Sequence, residues 1–136
     1  IDEVFTPYQS TIAQILDDRA QQNRKSVLIA VHSFTPVFKG VQRPWDFALV
    51  YNRDPRLSHI ILELLQQDGD LQLGDNEPYF LSDETDYTLP VHGEQREFPH
   101  TQFEIRQDHI GTPEQQSEWA DRLSITLERA LGIFSK

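Results

Sequence analysis

Two side chains stand where this sequence is best placed to do chemistry: an imidazole where one strand ends, and a carboxylate inside another. Residues 27–31 read Val-Leu-Ile-Ala-Val, apolar throughout, the pattern of a strand buried on both faces of a sheet. The run breaks off at His32-Ser33 and passes into a turn-rich loop with Pro36, Gly40 and Pro44. Ligands in open α/β sheets collect beyond the carboxyl ends of strands, so an imidazole there is positioned to bind or catalyse. In the second run, Thr101-Gln102-Phe103-Glu104-Ile105-Arg106-Gln107-Asp108, strand periodicity sets Glu104 and Arg106 on one face, Phe103 and Ile105 on the other. Each residue alone also has an ordinary explanation. A histidine at a strand end is commonly just hydrogen-bonded, and alternating charges commonly pair on a solvated sheet face.

The elements that must position these groups are signalled along the chain. Thr6-Pro7-Tyr8-Gln9, Asp54-Pro55-Arg56-Leu57 and Thr112-Pro113-Glu114-Gln115 each put a capping side chain before a proline at the first helical position. The first and third add Gln where a capping box needs it. Apolar stripes follow: Tyr8, Ile12, Ile15 and Leu16; Leu57, Ile60, Ile61, Leu64 and Leu65; Trp119, Ala120, Leu123, Leu127, Ala130 and Leu131. Each is read as a helix face buried on a sheet. Gly69 and Gly132 are the expected stops of the second and third helices. Strands are expected at residues 27–31, 47–51 and 101–106, with a shorter one near 71–73. Helices interleaved with strands give an α/β domain with a mixed sheet, spanning residues 1–136 as one unit. Residues 74–99 are polar, hold three prolines and lack a period, yet Tyr79, Phe80, Tyr87 and Phe98 favour an ordered loop.

Composition narrows the function classes. Net charge is −10, from 22 acidic against 12 basic side chains, which disfavours nucleic acid and anionic membrane surfaces as partners. Cysteine is absent, so disulfides and thiolate metal sites are excluded. No apolar run is long enough to cross a bilayer, and a cytoplasmic protein is the expectation.

Several motifs occur in a telling order: Val31-His32-Ser33-Phe34-Thr35-Pro36, Arg43-Pro44-Trp45, Gly74-Asp75-Asn76-Glu77-Pro78-Tyr79, Asp86-Tyr87-Thr88, His92-Gly93-Glu94 and Phe103-Glu104-Ile105-Arg106-Gln107-Asp108. From about Val27 to the end, the chain resembles the C-terminal half of the N-formylglutamate amidohydrolase family. That family is related to the zinc carboxypeptidase and aspartoacylase hydrolases. The resemblance implies a zinc-carboxypeptidase-like (phosphorylase/hydrolase-like) architecture, with His32 as a zinc ligand and Glu104 as the catalytic base. The family's other two zinc ligands, a His and a Glu, lie near its N-terminus, and no histidine here is followed three residues later by Glu. The sequence also opens on Ile1 and contains no methionine. The expectation is a chain truncated at the N-terminus, with the remaining metal ligands upstream of Ile1.

The implied reaction is hydrolysis of N-formyl-L-glutamate to formate and L-glutamate, a step of histidine degradation. A substrate of this kind, a small N-acyl acidic amino acid, carries two carboxylates, which guanidinium forks hold well. Arg43, Arg96 and Arg106 are candidates, as is Arg53. Asn76 and Tyr79 are placed to close over a site, and His92 or His100 to orient substrate or stabilise an oxyanion. His59 is expected to be merely exposed, and His109 has no partner that the sequence identifies. Two alternatives stand beside this reading. One is a related deacylase of other N-acyl amino acids, distinguished by which acid is released. The other is an inactive fragment or interaction module that keeps the scaffold without turnover.

Overall fold

Helix α1 (Phe5–Gln21) precedes strand β1 (Leu28–Phe34), and a small hairpin of β2 (Val37–Phe38) and β3 (Val41–Gln42) follows. Next come β4 (Phe47–Val50), helix α2 (Arg56–Asp68), β5 (Leu73–Asp75) and a π-helical turn (Thr88–Glu94). Strand β6 (His100–Arg106), a 3-10 turn (Gln107–His109) and helix α3 (Pro113–Phe134) complete the chain. This computed structural model describes residues 2–136. The main sheet has the order β1-β6-β4-β5; β6 runs parallel to β1 and antiparallel to β4, and β4 parallel to β5. The sheet is therefore mixed and flanked by helices, as the pattern of elements required.

The larger core lies on the face covered by α2 and α3. Phe47, Leu49, Phe103 and Ile105 of the sheet meet Leu57, Ile61, Leu64 and Leu65 of α2 and Leu123 and Ala130 of α3. These helical residues are the ones that the sequence periodicity put in its apolar stripes. On the opposite face a smaller cluster joins Val50, Leu81 and Leu89, with Leu28 and Ala30 packed against it. The π-helical turn covers this side, and α1 rests on the turn: Gln9 Nε2 donates to Thr88 Oγ1 at 3.2 Å.

Five expectations are corrected by this arrangement. Strand β1 is an edge strand, not one buried on both faces, and Val31 is 65% exposed. The strand also runs on through His32 and Ser33 to Phe34, because the pairing with β6 continues to Arg106. Helix α1 starts at Phe5 without a side-chain cap, since Gln9 is drawn inward to the π-helical turn rather than back to its own N-terminus. Because α1 docks on that turn and not on the sheet, Tyr8 and Ile15 stay exposed while Leu16 is buried. Lastly, α3 passes through Gly132 to Phe134.

Other signals hold. Gly69 ends α2 in the left-handed region at φ 75°, although the N-cap of that helix is Pro55 rather than Asp54, whose carboxylate accepts from Arg56 N at 3.1 Å. Thr112 and Gln115 form the expected capping box on α3, with bonds of 3.2 and 3.1 Å.

Candidate active site

The parallel register of β1 and β6 sets His32 directly beside Glu104. Since side chains alternate across a strand, Leu28, Ala30 and His32 of β1 share a face with Gln102 and Glu104 of β6. Both residues lie near the carboxyl ends of their strands. His32 Nδ1 is 3.9 Å from Glu104 Oε1, with the imidazole 56% exposed and the carboxylate only 3%. At that separation the two share no hydrogen bond, and the ring is open to other ligands.

Glu104 is half satisfied. Gln102 Nε2 donates to its Oε1 at 2.7 Å, while Oε2 is buried without a partner. Burial pushes the Glu104 carboxyl above its ordinary range; the Gln102 hydrogen bond and the charges of His32 and Arg43 pull the other way and do not cancel it. A carboxylate kept basic and incompletely bonded suits proton abstraction. The same burial acts on folding. A carboxyl whose pKa is higher folded than unfolded gives stability that is present below the unfolded pKa and lost as pH rises through the folded one. Glu104→Gln is therefore expected to raise the melting temperature of the metal-free chain at pH 7.5. The advantage should shrink towards pH 4.5, as thermal denaturation at the two pH values would show.

The next positions in register are Ala48 of β4 opposite Glu104, and Gly74 of β5 beyond it. A Cβ at Gly74 would stand 2.8 Å from the Glu77 carbonyl oxygen and 2.9 Å from Ala48 Cβ. These small residues let the loop after β5 close down on the sheet, which brings Tyr79 to Arg43. The Arg43 guanidinium stacks 4.7 Å from the Phe38 ring, 5.1 Å from Tyr79 and 6.0 Å from Phe34, and donates to Thr35 Oγ1 at 3.2 Å. Arg43 and Tyr79 thus join His32 and Glu104. A cleft of about 470 Å³ opens alongside, floored by Leu28, Ala30, His32 and Gln102 and walled by the π-helical turn and α1.

The remaining candidates are held elsewhere. Arg106 shares the face of Glu104, but its guanidinium is taken up by Asp108 (2.7 Å), Asp46 (3.2 Å) and the carbonyls of Arg43, Pro44 and Trp45. Arg96 pairs with Asp17 of α1 at 2.6 Å. Asn76 is a turn residue at φ 55°, its side-chain oxygen accepting from Tyr51 N at 2.9 Å. His92 is buried under α1, where Nε2 donates to Gln9 Oε1 at 2.8 Å; burial lowers its pKa. His100 is buried with Nδ1 donating to the Phe98 carbonyl (2.7 Å). Arg53 pairs with Asp83 and Glu94. His59 is half exposed and bonded to Tyr51 Oη at 3.0 Å. The partner of His109 that the sequence did not identify is Asp46 at 2.7 Å, brought close because the 3-10 turn folds back over the start of β4. Gln102 and the aromatic hairpin were not foreseen. Gln102 was legible as the same-face neighbour of Glu104 two residues earlier.

Among the described residues no group of three or more His, Asp or Glu is arranged to hold a metal ion. The open His32 ring and the half-bonded Glu104 beside it fit one ligand and one base of a zinc site. No helix among these residues is long and apolar enough to cross a membrane.

The site thus sets an exposed histidine and a buried glutamate side by side near the strand ends of a mixed α/β sheet. The chain belongs to the N-formylglutamate amidohydrolase family, whose model matches residues 1–111, beginning ahead of the motifs and stopping before α3. It is similar to the solved structure of gene product Atu2144 from Agrobacterium tumefaciens, with a TM-score of 0.89 and 28% identity over 96% of this chain. That match covers 51% of the Agrobacterium chain, so the present chain spans about half its length. No curated protein matches.

Proposed function

We propose that this chain serves in a zinc-dependent amidohydrolase of zinc-carboxypeptidase-like architecture that cleaves N-formyl-L-glutamate to formate and L-glutamate, a cytoplasmic step of histidine degradation. The observation that carries the reading is the register pairing of His32 with Glu104, one exposed nitrogen donor beside one buried carboxylate. His32 would be one ligand of the metal, the others coming from outside this segment. A bound zinc supplies the Lewis acidity that activates water and polarises the formyl carbonyl.

The chain's own residues do the rest. Glu104 takes a proton from the attacking water and returns it to the leaving amine, so that the amide C–N bond breaks with the nitrogen neutralised. Arg43, lying over the Phe38 and Tyr79 rings with part of its fork unused by Thr35, receives a substrate carboxylate.

The test is product analysis with the zinc-loaded full-length protein on N-formyl-L-glutamate and N-acetyl-L-glutamate. Formate should be released from the first far faster than acetate from the second. The reverse preference would indicate a deacylase. Arg43→Ala should raise KM for N-formyl-L-glutamate by roughly 10- to 100-fold, the worth of a hydrogen bond to a charged group, and change KM for N-formyl-L-alanine less. An unchanged KM would leave Arg43 to its aromatic stack alone.

A further inference from the structure

Glu104 is held by a neutral group, not by a cation. Gln102 Nε2 lies 2.7 Å from Oε1, and both side chains are buried on one face of β6. In register Gln102 sits between Ala30 of β1 and Val50 of β4, two apolar neighbours that offer its amide no competing acceptor. The other carboxylate oxygen, Oε2, is buried and bonded to nothing in the chain. A half-bonded buried carboxylate is costly to the fold, so an arrangement that satisfies one oxygen and leaves the other bare needs an explanation.

The donor's chemistry supplies it. A lysine or arginine at position 102 would bind the carboxylate as an ion pair and lower its affinity for a proton. An apolar residue would let the Glu104 side chain turn among its rotamers. An amide fixes the orientation and carries no net charge. It also has to be Gln: in a strand, residue 102 is the same-face neighbour two positions away, and the shorter Asn would not span the gap.

We propose that Gln102 is a positioning residue for catalysis, fixing through Oε1 the orientation in which the Glu104 carboxylate stands beside His32. This rests on the reading of Glu104 as the general base. It assigns Gln102 no contact with substrate or metal; it acts through Glu104 alone.

That exclusivity makes a double-mutant cycle decisive. In the zinc-loaded full-length protein, Gln102→Met keeps the length of the side chain and removes the donor. It should lower kcat by roughly 10- to 100-fold, with KM and zinc content unchanged. Gln102→Asn, polar but too short, should lose as much. In a Glu104→Gln background, Gln102→Met should cost nothing further, since its effect has no carboxylate to pass through. Melting curves of the 136-residue chain carrying each substitution show that the fold is intact. Equal losses in both backgrounds, native turnover of Gln102→Met, or a loss spread over KM and zinc content would overturn the proposal while leaving Glu104 as the base. Native turnover of Glu104→Gln would instead remove the general-base reading, and this inference with it.

Discussion

Glu104→Gln in the zinc-loaded full-length protein is expected to cut turnover by about two to four orders of magnitude, the usual worth of a general base. Its zinc content should stay near native. The amide keeps the shape of the side chain, and its oxygen can still accept from Gln102 Nε2, so the geometry at His32 and Arg43 is preserved while the ability to take a proton is lost. His32→Ala provides the contrast. Removing an exposed nitrogen ligand should lower zinc content and activity together, since a site of three protein ligands holds its ion poorly with two. Metal analysis and steady-state kinetics on the same samples separate the two outcomes. Loss of zinc from Glu104→Gln would make Glu104 a ligand. Full activity would move the base elsewhere.

The two residues stand on supports of different rigidity. Glu104 is carried by β6, which is paired on both sides and buried along almost its whole length. A base mounted there is fixed by the core beneath it, through Phe103 and Ile105 on the opposite face. His32 is carried by the edge strand, with its ring exposed and one side of β1 unpaired within this chain. Arg43 hangs from a loop whose three carbonyls are gathered by Arg106, itself braced by Asp46 and Asp108. Arg106 was legible as a charged neighbour of Glu104 on the same face, but it is spent on holding the Arg43 loop.

Local signals in the sequence reported what local forces decide. The capping box at Thr112, the left-handed Gly69 and the stripes of α2 and α3 follow from spacing within a turn or two, and all are present. The alternation around Glu104 correctly split its strand into two faces, because its flanking residues Phe103 and Ile105 are both apolar and join the core. Strand order is a non-local property, and the apolar run before His32 carried no mark of lying at an edge. Likewise Arg96 and His92 looked like loop residues near a site. Their partners, Asp17 and Gln9, are 79 and 83 residues away on α1, a distance over which spacing says nothing. The aromatic hairpin at Phe38 is two residues per strand, too short to show a period.

Phe47→Ala is expected to cost about 3–5 kcal/mol of folding stability, the range for truncating a buried aromatic. Phe47 is fully buried at the start of β4, stacked on Trp119 of α3 at 5.6 Å and edge-on to Phe103 of β6 at 5.5 Å. One ring thus joins the sheet to α3 and β4 to β6, and its removal leaves a cavity that neighbours on two elements cannot both move to fill. The loss reaches the site as well. Phe47 pairs with Ile105, and the next residue, Ala48, pairs with Glu104, so loosening β4 on β6 frees the strand that carries Glu104. Removing apolar bulk of similar kind from the surface, as in Ile15→Ala on α1 or Val31→Ala on the edge strand, should change stability by only about 0.5 kcal/mol. Urea denaturation of the three variants, followed by circular dichroism, makes the comparison. A midpoint for Phe47→Ala close to those of the two surface variants would mean that the core closes over the missing ring, and that the contact between Phe47 and Trp119 does not hold α3 to the sheet.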